Sequence, residues 1–544
     1  MSMSVNTTFP GSTVGVEFSL FSHLNAKTIG LGLILFILVA FKFSQSRPKG
    51  KLPPGPPGLP ILGNLHQLAK RPWLSFTDWR KRYGPLVYVN FAGQGVLLIG
   101  SHKVAGDLLD RRATLYSDRP RWIVASELLT GGLVIAFAQH NELWKRMRRG
   151  AHEALNNTIA KNYYPIQENE AFFLVENLLN TPANFDMHLR RAASSTVMRI
   201  TYGLPPLKDS NDPIILRVND FVDRALSAAL PGKFLVEYFT WMEHLPRWMA
   251  PWRRWAEEWF ARDSQFVEGL YKDTIKRIHE GDKTDETSCV VANLMSDHSK
   301  QAMSEKEAAW LSAVMYAAGG DTTSAQMAWF MMAMILHPEV QAWAQAEIDR
   351  VVGRDRMPNF ADIARLPCVK AIVKENMRWR GVAPMSNPHC IYQDDWYDGY
   401  FIPKGTLVIA NVWHMNHDPD VYGPDAEEYR PTRHLDSEGN LLPATPETKD
   451  ESHLTYGFGR RICVGRHVSN NSMYIQVASI LWAFRISAGK DENGMIVLPN
   501  PEDCRDEGLV VRPAPFPVTI VPRCPEVVSV IAQAKDFWQQ RAFA

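Results

Sequence analysis

The sequence contains little cysteine for its length. Its 544 residues include six cysteines, at positions 289, 368, 390, 463, 504 and 524. They are too few and too scattered for a disulfide framework, and no pair has the CxxC spacing of a zinc or iron–sulfur site. A reducing compartment therefore fits the chain best, and each cysteine has to be interpreted from its own surroundings.

The sequence also lacks an excess of either charge. It has 59 basic and 58 acidic residues, a formal net charge of +1. This balance gives no electrostatic reason to expect a nucleic-acid partner, and we expect none. No internal repeat or long low-complexity tract is present, and 46% hydrophobic residues can form a large buried core.

The uncharged apolar stretch near the N-terminus is short. Residues 28–41 (TIGLGLILFILVAF) fall below the roughly 20 residues of a full membrane span. A membrane anchor, a cleaved signal peptide and a core helix all suit this length. We expect a retained anchor over residues 27–43, because lysines bracket the stretch and no small-residue cleavage motif follows it. The basic residues beyond it then place its C-terminal side in the cytosol and residues 1–26 in the lumen.

Proline and glycine are concentrated in the segment that follows. Residues 44–64 are basic and proline-rich, and they end in LPPGPPGLPILGN. Because proline blocks helix continuation, we interpret this segment as a stiff hinge. Residues 86–99 alternate as a β-hairpin does, whereas most later segments have helical periodicity. The sequence predicts a mainly α fold with a minor β-sheet.

A glycine-rich loop, YGFGRRICVG at residues 456–465, contains Cys463 and precedes an apolar segment with helical spacing. Gly459 and Gly465 allow a tight turn and a close approach of the backbone to a flat group. A helix start and two adjacent arginines would favour a thiolate at Cys463. A lone cysteine is more often an inert buried side chain, so the loop by itself leaves both interpretations open.

A long helix is predicted over residues 304–336. Ser304 and Glu307 form a capping-box pattern, and Pro338 follows the end of the helical periodicity. The middle of the helix reads AGGDTT, residues 318–323, and its two glycines each cost about 1 kcal/mol relative to alanine. They fit either a tight helix crossing or a groove that admits dioxygen and water beside a hydroxyl and a carboxylate.

Two further segments place paired side chains on one face of a helix. Trp144 and Arg148 are spaced i, i+4 in ELWKRMRRG, and Glu375 and Arg378 are spaced i, i+3 in KENMRWR. From the residues alone, the first pair suits a solvated basic helix with one buried tryptophan. The second suits an ordinary surface ion pair, which contributes little.

The cysteine loop resembles the haem-binding signature of the cytochromes P450, Phe-x-x-Gly-x-Arg-x-Cys-x-Gly. The match lies at Gly459, Arg461, Cys463 and Gly465, whereas Tyr456 replaces the signature phenylalanine. The resemblance implies that Cys463 is the axial thiolate ligand of haem b and that the other three residues belong to the haem-binding loop. A buried Tyr456 hydroxyl would need a hydrogen-bond partner.

Other matches imply further roles around the haem. AGGDTT resembles the oxygen-activation motif of the family, so Asp321 and Thr322 would relay protons during dioxygen activation. Trp144 and Arg148 match its W-x-x-x-R motif, which implies that both bind a haem propionate. His389 follows a proline-bracketed loop and is by position either a propionate ligand or a structural histidine.

The Glu375–Arg378 pair resembles the Glu-x-x-Arg motif of the same family. In that motif the pair is buried and joined by a later arginine, for which Arg433 in YRPTRH is the candidate. The resemblance therefore implies a structural triad that supports the fold and the haem pocket and takes no part in the chemistry.

These motifs occur in the family order and extend the resemblance over nearly the whole chain. It implies the cytochrome P450 fold, with an N-terminal anchor helix and a haem-thiolate catalytic domain at residues 65–544. HNELW, PGKF and GRRICVGRHV resemble fungal microsomal members, in the O-methylsterigmatocystin oxidoreductase-like group. The resemblance also implies a single-pass protein of the endoplasmic reticulum membrane with its catalytic domain in the cytosol.

The implied activity is monooxygenation of a hydrophobic small molecule by hydroxylation or epoxidation, in secondary metabolism or xenobiotic oxidation. Electrons would pass from NADPH through a separate NADPH–cytochrome P450 reductase, with cytochrome b5 as a further candidate partner. A separate reductase is needed because the chain has no convincing nucleotide site of its own: its Gly-Gly pair lies in mid-helix and lacks the context of a nucleotide-binding loop. Substrate contacts are expected from residues 120–134, 221–239, 317–318, 382–385 and 508–511.

Two other functions remain compatible with the motifs. An isomerase or dehydratase on the same scaffold would work without a reductase, but such enzymes tend to lack the threonine found here at position 322. A non-catalytic, membrane-tethered haem sensor would bind the cofactor without oxidising NADPH.

Overall fold

The computed structural model describes residues 49–208, 212–230, 232–280, 289–295, 303–506, 508 and 510–543. The predicted lumenal segment, the anchor and the first residues of the hinge lie outside this part of the chain. Residues 51–58 of the hinge form neither helix nor strand, as their prolines predict. No helix among the described residues is both long enough and apolar enough to cross a membrane.

The described residues fall into two units. The smaller consists of residues 49–52 and 396–401, in which the Phe401 amide donates to the Lys51 carbonyl at 2.8 Å. The larger comprises the rest of the described chain from residue 53 onward. All motif residues predicted for the site belong to the larger unit.

Helices dominate the larger unit. Its α-helices are Pro72–Tyr83, His102–Ala105, Ala113–Tyr116, Glu142–Leu155, Tyr164–Asn180, Phe185–Tyr202, Pro213–Ala229, Pro251–His279, Val290–Met295, Glu305–Leu336, Pro338–Val351, Phe360–Ile363, Pro367–Trp379, Val412–Asn416, Pro419–Tyr422, Arg466–Ala483 and Pro525–Phe543. Two π-helical turns, Gly106–Arg111 and Ile123–Leu128, lie between them.

The predicted hairpin is confirmed, and it forms part of a four-stranded sheet. Leu86–Phe91 pairs antiparallel with Gln94–Ile99, which pairs parallel with Leu407–Ala410; His389–Cys390 closes the sheet in antiparallel register. The other strands form pairs: Asp395–Tyr397 with Tyr400–Ile402, Phe484–Ala488 with Val518–Pro522, and Cys504–Asp506 with Val511–Pro513. The mainly α prediction with a minor sheet is confirmed.

The predicted long helix is Glu305–Leu336, referred to below as the long helix. The Ser304 hydroxyl accepts from the Glu307 amide, and the Glu307 carboxylate accepts from the Ser304 amide, so the capping box is formed. Most side chains along the helix are buried in the core, because apolar residues cover its whole circumference.

The two glycines of the long helix lie against helix Phe185–Tyr202, referred to below as the crossing helix. A Cβ atom on Gly319 would come within 2.7 Å of Cγ2 of Val197. A Cβ atom on Gly320 would lie 3.1 Å from Oγ of Ser194. The glycines therefore permit a close helix crossing, one of the two roles that the sequence left open.

A prediction follows for this crossing. Gly319→Ala should lower the free energy of unfolding by about 1–2 kcal/mol, because the clash with Val197 outweighs the better helix propensity of alanine. Adding Val197→Ala should recover part of that loss by making room. Denaturant unfolding of both single variants and the double variant measures this, and strictly additive effects would contradict it.

Candidate functional site

The cysteine loop is a sharp turn that presents Cys463 before a helix. Gly459 has a φ of +55°, and a Cβ atom there would lie 2.0 Å from the Leu109 carbonyl oxygen, so only glycine fits. The Cys463 amide donates to the Tyr456 carbonyl at 2.8 Å and closes the turn. At Gly465 an added Cβ atom would meet no atom within 4 Å, so the loop leaves open space on that side.

Cys463 is enclosed by protein and yet exposed. Its surroundings raise the pKa of the thiol by burial, which the Gly465 amide and the charges of Arg148 and Arg466 only partly counteract. The side chain is nevertheless accessible. A side chain that is both enclosed and accessible borders an internal space. The raised pKa indicates that a bound metal ion, which deprotonates a coordinating thiol, would have to complete thiolate formation.

The adjacent arginines do not act on the thiol as the sequence suggested. Arg460 Nη2 donates to the Thr114 hydroxyl at 3.0 Å. Arg461 donates to the carbonyls of Ser117, Ile135 and Ala138 at 2.8–3.0 Å. Both side chains lead away from Cys463, because the turn at Gly459 directs them toward the preceding loops.

The long helix leaves two residues of its motif accessible on a face away from its glycines. Ala318 is exposed and Thr322 is half-buried, whereas the preceding residues 308–316 are buried. Ala318 and Thr322 are spaced i, i+4, and the Thr322 hydroxyl donates to the Ala318 carbonyl at 2.8 Å. This helix packs against Arg466–Ala483, the helix that follows Cys463. Cys463 and Ala318 therefore lie on or beside neighbouring elements, and the space for dioxygen that the sequence predicts beside Thr322 is referred to below as the cavity.

Three buried or half-buried arginines cluster at one edge of this region. Arg148 donates to the Ile462 carbonyl at 2.6 Å, and Arg119 donates to three carbonyls, of residues 136, 387 and 388, at 2.6–3.1 Å. The guanidinium of Arg461 lies 4.1 Å from the centre of the Trp144 ring, whose Nε1 donates to the Ile135 carbonyl at 3.1 Å. Within the described residues, none of the three arginines forms a salt bridge.

Burial makes the positive charges of this cluster unfavourable. Burial, with the neighbouring charge of Arg119, lowers the pKa of Arg461 to about 8, and burial lowers the pKa of Arg119 to about 9. Carbonyl oxygens satisfy hydrogen bonds but do not neutralise a cation, so an anionic ligand would stabilise the cluster. The negative charge of Asp118 raises the pKa of Arg119 and of Arg461 electrostatically, but burial outweighs this effect.

His389 lies beside this cluster in its neutral form. Its Nδ1 is 2.7 Å from the Tyr116 carbonyl, to which a neutral ring donates. Burial, reinforced by the charge of Arg119, lowers the pKa of His389 well below its ordinary value. The propionate role predicted for His389 therefore stays a prediction, and the structure supplies a structural contact for the ring.

The residues present fit a haem group. Cys463 provides an accessible sulfur ligand, Ala318 and Gly465 leave room for a flat molecule, and the uncompensated arginines provide charge for two propionates. Trp144 and Arg148, which are predicted to bind a propionate, lie on one helix with their polar atoms bonded to nearby carbonyls.

Asp321 faces away from the cavity toward the crossing helix. Its Oδ1 lies 3.2 Å from Nη1 of Arg512 and 3.6 Å from Nη1 of Arg190. The side chain is 36% exposed, whereas that of Arg512 is 4% exposed. Asp321 is therefore partly exposed to solvent and paired with two arginines, and its role in a proton relay stays a prediction.

Glu375, Arg378 and Arg433 form the predicted cluster, in which the Glu375 and Arg378 side chains are fully buried and that of Arg433 nearly so. Arg378 Nε and Nη2 each lie 2.8 Å from a carboxylate oxygen of Glu375, and Arg433 Nε lies 2.9 Å from the same carboxylate. His434 is a fourth member, 2.9 Å away, that the motif did not indicate. Burial alone would raise the pKa of Glu375, but hydrogen bonds from Arg378 and His434 outweigh it and hold the pKa well below its usual range.

The Tyr456 hydroxyl has the partner that its burial requires. It donates to Oδ1 of Asn470 at 2.6 Å, and Nδ2 of Asn470 donates to Glu451 at 2.9 Å. Burial raises the pKa of Tyr456 well above its ordinary value, so the phenol keeps its proton. The departure from the signature is therefore accommodated by two polar residues.

Arg119, Asn470 and Arg512 are site residues that the sequence did not indicate. Arg512 adjoins the substrate stretch 508–511, and a single arginine within the apolar run LVVRPAPF was an available signal. Arg119 and Asn470 carried no comparable signal, because their roles depend on contacts with residues far away along the chain.

Comparisons with known proteins agree with this geometry. The family model described as Cytochrome P450 matches residues 53–519. A cytochrome P450 monooxygenase of Armillaria gallica is 49% identical over 92% of this chain and 96% of its own length. Cytochrome P450 monooxygenase 253 of Postia placenta is 47% identical over 94% of this chain and 98% of its own length. A zebrafish cytochrome P450 solved with abiraterone covers 83% of this chain and all of its own, with 25% identity and a TM-score of 0.65.

A prediction concerns the buried cluster. Glu375→Gln should lower the free energy of unfolding by about 3 kcal/mol at pH 7, because Arg378 and Arg433 lose their counter-charge. Since the pKa of folded Glu375 is lowered, the stabilisation is complete above about pH 5 and is lost as the pH falls further. The difference between wild type and variant should therefore shrink on acidification.

Denaturant unfolding at a series of pH values measures this difference. Glu142→Gln is the matched control, because it breaks an exposed i, i+3 pair with Lys145 and should leave the unfolding midpoint unchanged. A difference for Glu375→Gln that does not vary with pH would contradict a role for the carboxylate charge.

Proposed function

This chain belongs to the cytochrome P450 family and is a monooxygenase, and from that membership we propose that it inserts one oxygen atom into a hydrophobic organic substrate at a haem-thiolate centre. In the balanced reaction, substrate, O2, NADPH and one proton give hydroxylated or epoxidised product, water and NADP+. The observation that carries the proposal is the enclosed but accessible Cys463, in a loop whose turn at Gly459 only glycine permits.

Bound haem would supply the redox chemistry that activates dioxygen. Cys463 would hold the iron through its sulfur, and Arg148, Arg461 and Trp144 would hold the propionates, with His389 as a further candidate. Each arginine already donates to carbonyls, so the protein positions these side chains before the cofactor arrives. Asp321 and Thr322 would bring protons from solvent to the cavity.

The lining argues for a hydrophobic substrate. Several side chains of the predicted contact stretches are apolar and buried or half-buried beside the long helix: Ile123, Val134, Phe221, Val382, Met385, Val510 and Val511. Burial of apolar ligand surface against such residues is favourable at about 25 cal/mol per Å². We propose a substrate of terpenoid, polyketide or aromatic type, in secondary metabolism or xenobiotic oxidation.

Electrons would come from NADPH through a separate reductase. The Gly319–Gly320 pair, which lies in mid-helix against Val197 and Ser194, serves helix packing and has no strand–turn–helix context of a nucleotide loop. NADPH–cytochrome P450 reductase is the proposed donor, with cytochrome b5 as a second candidate. The apolar stretch at residues 27–43 supports a location in the endoplasmic reticulum membrane.

The first prediction for this function concerns the ligand of the iron. The purified protein, reduced and exposed to carbon monoxide, should show the red-shifted Soret band of thiolate ligation, and Cys463→Ser should abolish it because a serine hydroxyl cannot replace the thiolate. Cys524→Ser is the control, since Cys524 lies near the chain surface. A wild-type spectrum without the shifted band would exclude the thiolate centre.

A second prediction concerns Thr322. Thr322→Ala should keep the carbon monoxide spectrum but divert several-fold more of the consumed NADPH to hydrogen peroxide, because the hydroxyl beside Ala318 is lost. Thr322→Ser restores a hydroxyl and should recover most of the coupling. Peroxide release measured against NADPH consumption tests this, and unchanged partition in Thr322→Ala would remove Thr322 from proton delivery.

The substrate itself can be found by a product screen. The protein is combined with reductase, NADPH and a library of hydrophobic compounds under ¹⁸O2, and products are identified by mass spectrometry. One labelled oxygen per product is the expected result. Product without reductase would favour the isomerase or dehydratase alternative, and haem binding with no NADPH oxidation for any compound would favour the sensor.

A further inference from the structure

Arg512 is a buried cation at the centre of a polar network that no motif of the sequence indicates. It belongs to the strand Val511–Pro513, and its side chain is 4% exposed. Nη2 donates to Oδ1 of Asp186 at 2.6 Å, and Nη1 donates to Oδ1 of Asp321 at 3.2 Å. Nη1 also lies 3.1 Å from the Ser324 hydroxyl, to which it donates. One guanidinium therefore joins the crossing helix, the long helix and the strand.

The network contains a second arginine that is held less firmly. Arg190 donates through Nε to Oδ2 of Asp186 at 3.0 Å, but its Nη1 remains 3.6 Å from Oδ1 of Asp321. Its side chain is 40% exposed, so water competes for both contacts. Arg512, in contrast, is shielded from water and has a planar fork that can bond two carboxylates at once. Of the two cations, Arg512 is the one that fixes Asp321.

The strand that carries Arg512 is itself attached to the long helix. The Val511 amide donates to the Val382 carbonyl at 2.8 Å, and Nε1 of Trp329 donates to the Val511 carbonyl at 3.0 Å. Both Val382 and Val511 lie in stretches expected to contact substrate. The position of the Arg512 side chain is therefore set by the same backbone that forms part of the substrate region.

We propose that Arg512 is a positioning residue for Asp321 in proton delivery. By bonding one carboxylate oxygen, it holds Asp321, which is partly exposed to solvent and precedes Thr322 in the chain, in a single conformation. Asp321 in that conformation takes up a proton from water, passes it toward the Thr322 hydroxyl and returns to the carboxylate. This proposal rests on the monooxygenase function proposed above, and Arg512 contacts neither substrate nor haem in it.

The test uses the complete haem-loaded protein with reductase, NADPH and the substrate found in the product screen. Arg512→Gln should keep the carbon monoxide spectrum, raise the fraction of NADPH diverted to peroxide by about 3- to 10-fold and enlarge the solvent deuterium isotope effect on product formation. Arg512→Lys keeps a charge without the fork and should give intermediate values. A purely structural role would lower protein yield without changing the isotope effect.

Two control variants sharpen the result. Arg523→Gln removes an arginine that pairs with Asp349 at 2.7 Å, and it should leave peroxide partition and isotope effect at wild-type values. Arg190→Gln removes the exposed cation beside Asp321 and should have a clearly smaller effect than Arg512→Gln. Equal effects of Arg190→Gln and Arg512→Gln, or wild-type behaviour of Arg512→Gln, would overturn the proposal.

A measurement without turnover separates this proposal from the function itself. Thermal unfolding of Arg512→Gln, Asp321→Asn and the double variant forms a double-mutant cycle. The midpoint of the double variant should lie above the value expected from adding the two single shifts, because each single change already breaks the same contact. Additive shifts would overturn the pairing even if monooxygenation is shown. Non-additive shifts in a protein without NADPH oxidation would refute the proposed function and leave the pairing intact.

Discussion

The close crossing of the long helix and the crossing helix determines where the cavity can lie. Gly319 and Gly320 bring the long helix against Val197 and Ser194, so that face has no room for a ligand. Ala318 and Thr322, one turn apart, lie on another face and remain accessible. In the motif AGGDTT the glycines therefore serve packing, whereas Ala318 and Thr322 stay accessible for the predicted groove. A larger side chain at Gly319 would displace the helix that carries Thr322.

A second constraint is the positive charge buried near the cysteine loop. The guanidinium groups of Arg119, Arg148 and Arg461 are bonded to carbonyl oxygens, and among the described residues none of these groups forms a salt bridge with a carboxylate. Such an arrangement is costly in the protein alone and favourable once a dianionic ligand is present. Binding of the proposed haem and stability of this part of the fold are therefore coupled, because the free energy of the complex includes neutralisation of these cations.

The local features of the fold could be read from the sequence, whereas the long-range contacts could not. The Ser304–Glu307 capping box, the hairpin at residues 86–99 and the helix after Cys463 follow from short spacings, and the structure contains all three. The pairings of Arg512 with Asp321 and of Tyr456 with Asn470 join separate elements, and their geometry depends on tertiary packing. For the same reason the sequence assigned the charges of Arg460 and Arg461 to the thiol, although the turn at Gly459 directs them elsewhere.

The raised pKa of the Cys463 thiol has a consequence for the life of the chain before it carries cofactor. A neutral thiol is a poor nucleophile, so burial should slow alkylation and oxidation of this accessible sulfur before the proposed haem binds. If Cys463 holds the iron of the proposed haem, its thiol would lose a proton on binding, and that proton would pass to the medium. Affinity for the proposed haem should therefore increase with pH, because the thiol has to lose its proton when it binds the iron.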